Sequence, residues 1–248
     1  MLNETYLRSF AINEVSLATI DDFSVDLPIV KFLQQIGKID LHKNVTFFVG
    51  ENGTGKSTLL EAIAINYGFN PEGGSRNFNF STNNTHSKLA NALQLIKGVR
   101  IPKDTYFLRA ESFYNVASNI DQLEKESGGI IDYYGGKSLH EQSHGESFFS
   151  LFLNRFFGNG LYILDEPEAA LSPQRQLSFL LRLDELVKLN SQFIIATHSP
   201  IILAYPNAKI IQIRETGFKE ISYKDSDHYQ LYQTFLENPE YMLKKLGL

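Results

Sequence analysis

The sequence predicts an α/β fold, with a mainly parallel central sheet flanked by helices, an N-terminal antiparallel β lobe and a short helical lobe. Three observations carry this. Short, largely apolar runs at Val45–Val49, Thr105–Leu108, Leu161–Leu164 and Phe193–Ala196 have the length and branching of strands buried on both faces. Helix-like stretches separate these runs, as connections between parallel strands require. Several runs also end in polar residues: Gly50–Ser57 follows the first, Asp165-Glu166 the third, and His198 lies just past the fourth. In an open parallel sheet the carboxyl ends of the strands form the ligand-binding edge.

The elements follow in order. Residues 1–44 read as a β-rich lobe, with strands at Tyr6–Ile12 and Phe23–Leu27 punctuated by Asp21-Asp22 and Pro28. The run at 45–49 is a buried strand, and Leu59–Ile65 is a helix. Residues 68–87, rich in Gly, Asn and Ser, read as a surface loop with a hairpin around Phe78 and Phe80. A short helix is expected over 88–97, and a second buried strand at 105–108 ends in Arg109-Ala110-Glu111-Ser112. Ser112–Glu126 is a helix. Gly128-Gly129 and Gly135-Gly136 break the chain on either side of Ile130–Tyr134, and an aromatic helix, Phe148–Phe157, turns its phenylalanines into the core. Pro173 suits a first helical turn capped by Ser172, in a helix through Leu189. Lys209–Ile213 and Phe218–Tyr223 form a hairpin around Glu215-Thr216-Gly217, and the tail from Asp227 is helical. The whole reads as one domain, 1–248, with the β lobe at 1–44, the short helical lobe at 112–147 and the tail at 225–248; there is no internal repeat.

Composition narrows the function classes. With 248 residues and 43% hydrophobic content the chain can build a sizeable core. A net charge of −5 argues against a broadly basic surface for nucleic acid, though not against a local patch. The absence of cysteine excludes disulfides and thiolate metal sites and suits a cytoplasmic location. The first residues show no basic region followed by an apolar run, so no signal peptide is expected, and no apolar stretch reaches the length of a membrane span.

Gly50-Glu51-Asn52-Gly53-Thr54-Gly55-Lys56-Ser57, followed by Thr58, matches G-x-x-x-x-G-K-[ST] between a strand and a helix, the context of the phosphate-binding P-loop. Glycines let successive backbone N–H groups turn inward at a helix N-terminus and form an anion-binding nest. Asn52, Gly53, Thr54, Gly55, Lys56, Ser57 and Thr58 are therefore the candidate nucleotide-binding residues, with Lys56 as a point charge on the β- and γ-phosphates and Ser57 as a Mg²⁺ ligand. A glycine-rich turn with a chance lysine would lack these flanks. Asp165, at a strand end, is placed to hold Mg²⁺, and Glu166 to polarise an attacking water. The bland alternative is that the two acids merely cap the next helix. Phe32 could stack on adenine, although a core aromatic is the commoner role.

The order P-loop, Ser143-His144-Gly145-Glu146, Leu164-Asp165-Glu166-Pro167, His198 resembles the ABC-type ATPase superfamily over about residues 45–200, nearest the soluble RecF, SMC and overcoming-lysogenisation groups. The resemblance implies a P-loop NTPase fold and ATP hydrolysis. It implies that Ser143, His144, Gly145 and Glu146 form a signature that opens a helix and contacts ATP in the partner subunit. Glu168–Ser172 would be the D-loop, where subunits meet, and His198 the γ-phosphate-sensing histidine, catalytic beside Glu166 and Lys56. Two chains would join head to tail as an ATP-gated homodimer, with a protein partner unspecified and nucleic acid allowed. The sequence departs from the pattern at His144, where glycine is usual, and at Glu111, which stands in place of the Q-loop glutamine and could reach Mg²⁺ or water. The implied function is that of a soluble ATPase in DNA repair, maintenance or defence; the alternative is the ATP-binding subunit of a membrane transporter. His140-Glu141-Gln142-Ser143-His144 also spells H-E-x-x-H, but the flanking glycines are poor context for the helix a zinc protease requires.

Overall fold

The computed structural model describes residues 5–71, 73–74, 87–110, 113–142, 144–214 and 217–248. In chain order its elements are β1 (Leu7–Ile12), α1 (Glu14–Leu17), α2 (Pro28–Ile36), β2 (Lys38–Asp40), β3 (Val45–Gly50), α3 (Lys56–Tyr67), β4 (Leu93–Lys97), β5 (Asp104–Arg109), α4 (Phe113–Ser127), α5 (His144–Asn154), β6 (Gly160–Asp165), α6 (Pro173–Lys188), β7 (Gln192–Ala196), α7 (Pro200–Leu203), β8 (Lys209–Arg214), β9 (Gly217–Ile221), α8 (Asp227–Glu237) and α9 (Pro239–Lys245). Short 3-10 turns lie between several of them.

The main sheet has the order β5-β6-β7-β3-β8-β9. Its pairs are parallel from β5 to β8, and β9 returns antiparallel as the outer arm of the expected hairpin. Every residue of β3 and β6 is buried, because helices cover both faces. Side chains alternate across the sheet. Phe48 packs into one cluster with Leu59, Leu60 and Ile63 of α3, while Phe47 and Val49 join the other with Phe179, Leu183 and Leu186 of α6. The register sets Asp165 opposite Ala196, so the ends of β6 and β7 reach the edge where β3 runs into the P-loop. No helix among the described residues is long and apolar enough to cross a membrane.

A second, antiparallel sheet has the order β2-β1-β4. It is the expected β lobe, but it is not built from residues 1–44 alone. Its third strand lies in the segment predicted as a helix over 88–97. There Ser87 caps a 3-10 turn at Lys88–Asn91, and the chain then extends so that Leu93 and Leu95 pair with Ile12 and Phe10 of β1. The predicted strand at Phe23–Leu27 is a 3-10 turn, Phe23–Asp26, because the Asp22 carboxylate accepts from the Ser24 N–H and caps it. Pro28 opens α2 rather than ending a strand, and Ile29, Val30, Phe32 and Leu33 bury one face of that helix. Phe32 is 9% exposed and meets Phe218 edge to face at 5.9 Å, so it is a core aromatic. The aromatic helix stops at Asn154, and Phe157 beyond it is 53% exposed, not core. The hairpin expected around Phe78 and Phe80 lies outside the described residues.

A buried polar hub ties the opposite edge of the sheet. Asp104, at the start of β5, accepts from Arg155 Nη1 at 2.9 Å, from the Tyr162 hydroxyl at 2.7 Å and from the Phe157 N–H at 3.2 Å. Burial and the Asp104 carboxylate push the Tyr162 hydroxyl far above its ordinary range, so it remains a donor. Asp104→Ala leaves Arg155 as a largely buried cation, its side chain 16% exposed, without its carboxylate. The expected cost is about 3 kcal/mol, read as a lower urea midpoint with an unchanged m-value. A loss below about 1 kcal/mol would show the hub to be replaceable.

Candidate active site

Close backbone approach shapes the P-loop. Gly50 ends β3 at φ 155°, and a Cβ there would lie 2.4 Å from the Ile213 carbonyl oxygen of β8. Only glycine lets β3 turn into the loop against that strand. Gly55 precedes α3 at φ 95°, and a Cβ would meet Ile29 Cγ2 at 2.7 Å. The start of α2 therefore braces the loop, and the Ile29 N–H donates to the Thr54 carbonyl at 3.3 Å. The loop leads into the N-terminus of a 12-residue helix, with Thr54 and Gly55 buried and Asn52 and Gly53 exposed. A loop that opens a helix N-terminus in this way is the setting in which backbone N–H groups can bind an anion.

Lys56 is 4% exposed, and its Nζ donates to the carbonyls of Gly50 at 2.8 Å and Glu51 at 2.9 Å. Burial lowers its proton affinity, while Glu166, Asp165 and Glu168 pull the other way. Ser57, the next residue on α3, donates from Oγ to Asp165 Oδ1 at 3.0 Å. Asp165 is the last residue of β6 and is 6% exposed. One hydroxyl and one carboxylate form an oxygen-only donor set that fits Mg²⁺, an ion that leaves its other positions to phosphates and water. Among the described residues there is no group of three or more His, Cys, Asp or Glu that could hold a metal ion.

Glu166 follows at φ 51°, a left-handed conformation that costs a non-glycine residue about 1 kcal/mol. Its N–H donates to the Ala196 carbonyl at 3.0 Å. The turn brings its carboxylate Oε1 to 3.6 Å from His198 Nε2. Glu168 accepts from Thr197 Oγ1 at 2.8 Å and from the His198 N–H at 2.5 Å, clamping the segment after β7. Burial raises the Glu168 carboxyl above its ordinary value against those two donors. Burial, then the charges of Lys56 and His228, lower His198 to about 4, so its imidazole is neutral at pH 7. His198 Nδ1 lies 3.0 Å from His228 Nε2 on α8.

The structure thus gathers Lys56, Ser57, Asp165, Glu166 and His198 from three strand ends. Gly145 and Glu146 are elsewhere. They lie in the first turn of α5, where a Cβ on Gly145 would come 2.6 Å from the Ala170 carbonyl, and where Glu146 lies 3.5 Å from Arg175. His144 begins that helix. Ser143 and Glu111 lie outside the described residues. His140 stands in a 3-10 turn at Leu139–Glu141, Gln142 is extended and His144 starts the next helix, so the H-E-x-x-H residues do not share one helix.

Two participants have no clear sequence signal. Glu168 reads as part of the D-loop, and nothing local marks its clamp on Thr197 and His198. His228 is a lone histidine on a tail helix, brought to His198 only by tertiary folding. Beside the P-loop, Pro28, Glu51, Asn52, Gly53, Thr54, Ile213, Arg214 and Asp227 line a cavity of about 380 Å³.

A family model described as an AAA domain matches residues 29–189. No curated protein matches the chain. Among solved structures, it is similar to an SMC head domain from Thermotoga maritima, with 18% identity, a TM-score of 0.38 and coverage of 74% of this chain and 92% of that one. A nucleotide-free ATP-binding cassette from an ABC transporter shows 17% identity, a TM-score of 0.44 and coverage of 74% and 83%. An SMC head bound to the C-terminal winged-helix domain of ScpA shows 15%, 0.43, and coverage of 74% and 92%.

Proposed function

The chain belongs to the AAA domain family, and from that premise we propose that it binds ATP with Mg²⁺ and hydrolyses it, working as an ATP-gated head-to-tail dimer. The observation that carries the reading is the 3.0 Å contact between Ser57 and Asp165, with Lys56 behind it and the Glu166–His198 pair beside it. Phosphoryl transfer asks a protein for positioning and charge neutralisation more than for covalent chemistry. The loop N–H groups and the α3 N-terminus bind the phosphates. Lys56 exchanges the carbonyls of Gly50 and Glu51 for β- and γ-phosphate oxygens. Ser57 and Asp165 would hold Mg²⁺, which when bound neutralises phosphate charge. Glu166 accepts a hydrogen bond from the attacking water and orients it, and His198 Nε2, buried beside the Glu166 carboxylate, meets the γ-phosphate once that carboxylate turns to the water.

Several features support the dimer. The P-loop satisfies one side of a polyanion. The start of α5, with His144, Gly145 and Glu146, offers a second helix N-terminus packed on the D-loop segment. In a head-to-tail pair that N-terminus reaches the partner's γ-phosphate. The process served, in DNA repair, maintenance or defence, follows from the resemblance of the motifs, and phosphate release measured with and without DNA tests it.

The first test is phosphate release by the wild-type protein. ATP turnover is expected with Mg²⁺, and EDTA should lower it at least about 100-fold. Absence of both ATP binding and phosphate release at millimolar Mg²⁺ would overturn the reading.

A further inference from the structure

We propose that His228, on the C-terminal helix α8, is a positioning residue that sets the tautomer of His198 and so decides which proton the site presents to the γ-phosphate. This rests on the ATPase reading above. His198 Nδ1 and His228 Nε2 are 3.0 Å apart, and the ring planes are inclined at 62°. The outward nitrogens, His198 Nε2 and His228 Nδ1, are buried and make no hydrogen bond among the described residues.

Two neutral imidazoles that share one hydrogen bond have two arrangements. In the first, His198 donates from Nδ1, and its Nε2 carries a lone pair. That lone pair would face the Glu166 carboxylate, an acceptor-only group 3.6 Å away, and after it the oxygens of a phosphate. In the second, His228 donates from Nε2, and His198 carries its proton on Nε2, 3.6 Å from Glu166 Oε1, an electrostatic contact rather than a hydrogen bond. The second arrangement replaces a repulsion with an attraction, so it is the one the geometry selects. Partners of this kind, behind a functional histidine, fix ring orientation and tautomer in many sites.

His228 is itself held. Asp227, its neighbour, accepts from Arg214 through Nη2 at 2.5 Å and Nε at 3.2 Å, and from Gln212. Gln212 and Arg214 belong to β8, which pairs with the P-loop strand β3. Ser226 caps α8 by accepting from the Tyr229 N–H at 3.2 Å. The start of α8 is thus pinned to the sheet beside the P-loop, and His228 reaches His198 from that fixed base.

The test compares His228→Leu, His228→Gln, His198→Ala and the His198→Ala/His228→Leu double variant in Mg-ATP turnover, with melting temperatures alongside. His228→Leu is expected to lower kcat about 10-fold with KM for ATP within about two-fold of wild type. His228→Gln, whose amide places an N–H at the same reach, should recover most of that loss. The double variant should be no slower than His198→Ala alone. Nitrogen-15 spectra of the histidine-labelled wild-type protein should show His198 protonated on Nε2, a readout that needs no variant to fold. A His228→Leu kcat within two-fold of wild type, additive losses in the double variant, failure of glutamine to rescue, or a His198 protonated on Nδ1 would each overturn the proposal. If the wild-type protein releases no phosphate, the ATPase reading fails first and this inference with it.

Discussion

Glu166→Gln is expected to lower ATP turnover by about 100- to 1000-fold while leaving ATP affinity within a few-fold of wild type. The substitution keeps the shape of the side chain and removes its negative charge. The left-handed turn at Glu166, its N–H bond to Ala196 and the neighbouring Ser57–Asp165 contact do not depend on that charge. Binding through the P-loop and Lys56 should therefore survive. What is lost is the carboxylate that accepts from the attacking water, and positioned groups of this kind contribute about two to four orders of magnitude. Single-turnover phosphate release and equilibrium ATP titration separate the two effects. A loss under tenfold would mean that another group orients the water. The variant should also accumulate the ATP-bound state, so light scattering with Mg-ATP should report a doubled mass. If the variant binds ATP yet stays monomeric at every concentration tried, the head-to-tail dimer is wrong while the assignment of Glu166 stands.

The convergence of Lys56, Asp165, Glu166 and His198 was legible because a parallel sheet sends all its strand ends to one edge. Polar residues just past wholly apolar runs mark that edge without knowledge of strand order. The order itself was not legible. Nothing local to Val45–Val49 shows that this strand lies between β7 and β8, or that Gly50 would press on the backbone of Ile213. The misread elements failed for local reasons. Pro28 suits both a strand terminator and a first helical turn, and the buried face of α2 decided for the helix. Leu93–Lys97 is too short for periodicity to separate helix from strand, and pairing with β1 decided it. His198 was found because it follows a buried strand. His228 was not, because its partner is thirty residues away in sequence and only the anchoring of Asp227 on Arg214 and Gln212 brings it there. The motif resemblance makes Glu168–Ser172 a subunit contact, yet within the chain Glu168 also has the internal task of holding Thr197 and His198.

Lys56→Ala is expected to weaken ATP binding at least about 100-fold. The reasoning begins from the charges around Nζ. Asp165, Glu166 and Glu168 all act on Lys56, and its cation is the charge that offsets them at the P-loop. Its deletion leaves these carboxylates to repel an incoming polyphosphate, and it strips a charge-assisted donor from the β- and γ-phosphate oxygens. Hydrogen bonds to charged groups are each worth about 1.5–3 kcal/mol, and about 2.7 kcal/mol corresponds to 100-fold in affinity. The carbonyls of Gly50 and Glu51 also lose the Lys56 donor, although Glu51 keeps the Thr54 hydroxyl, so a loosened loop is a second route to the same loss. Lys56→Met separates the two causes. It keeps an unbranched, apolar stem in the buried slot and deletes the ammonium. Equal losses in both variants, measured by calorimetric titration with Mg-ATP, assign the effect to charge. A methionine variant that binds near wild type while the alanine variant does not would assign it to packing of the loop. ATP binding within three-fold of wild type in both would remove Lys56 from the phosphate site, and with it the electrostatic basis on which this pocket is read as an ATPase.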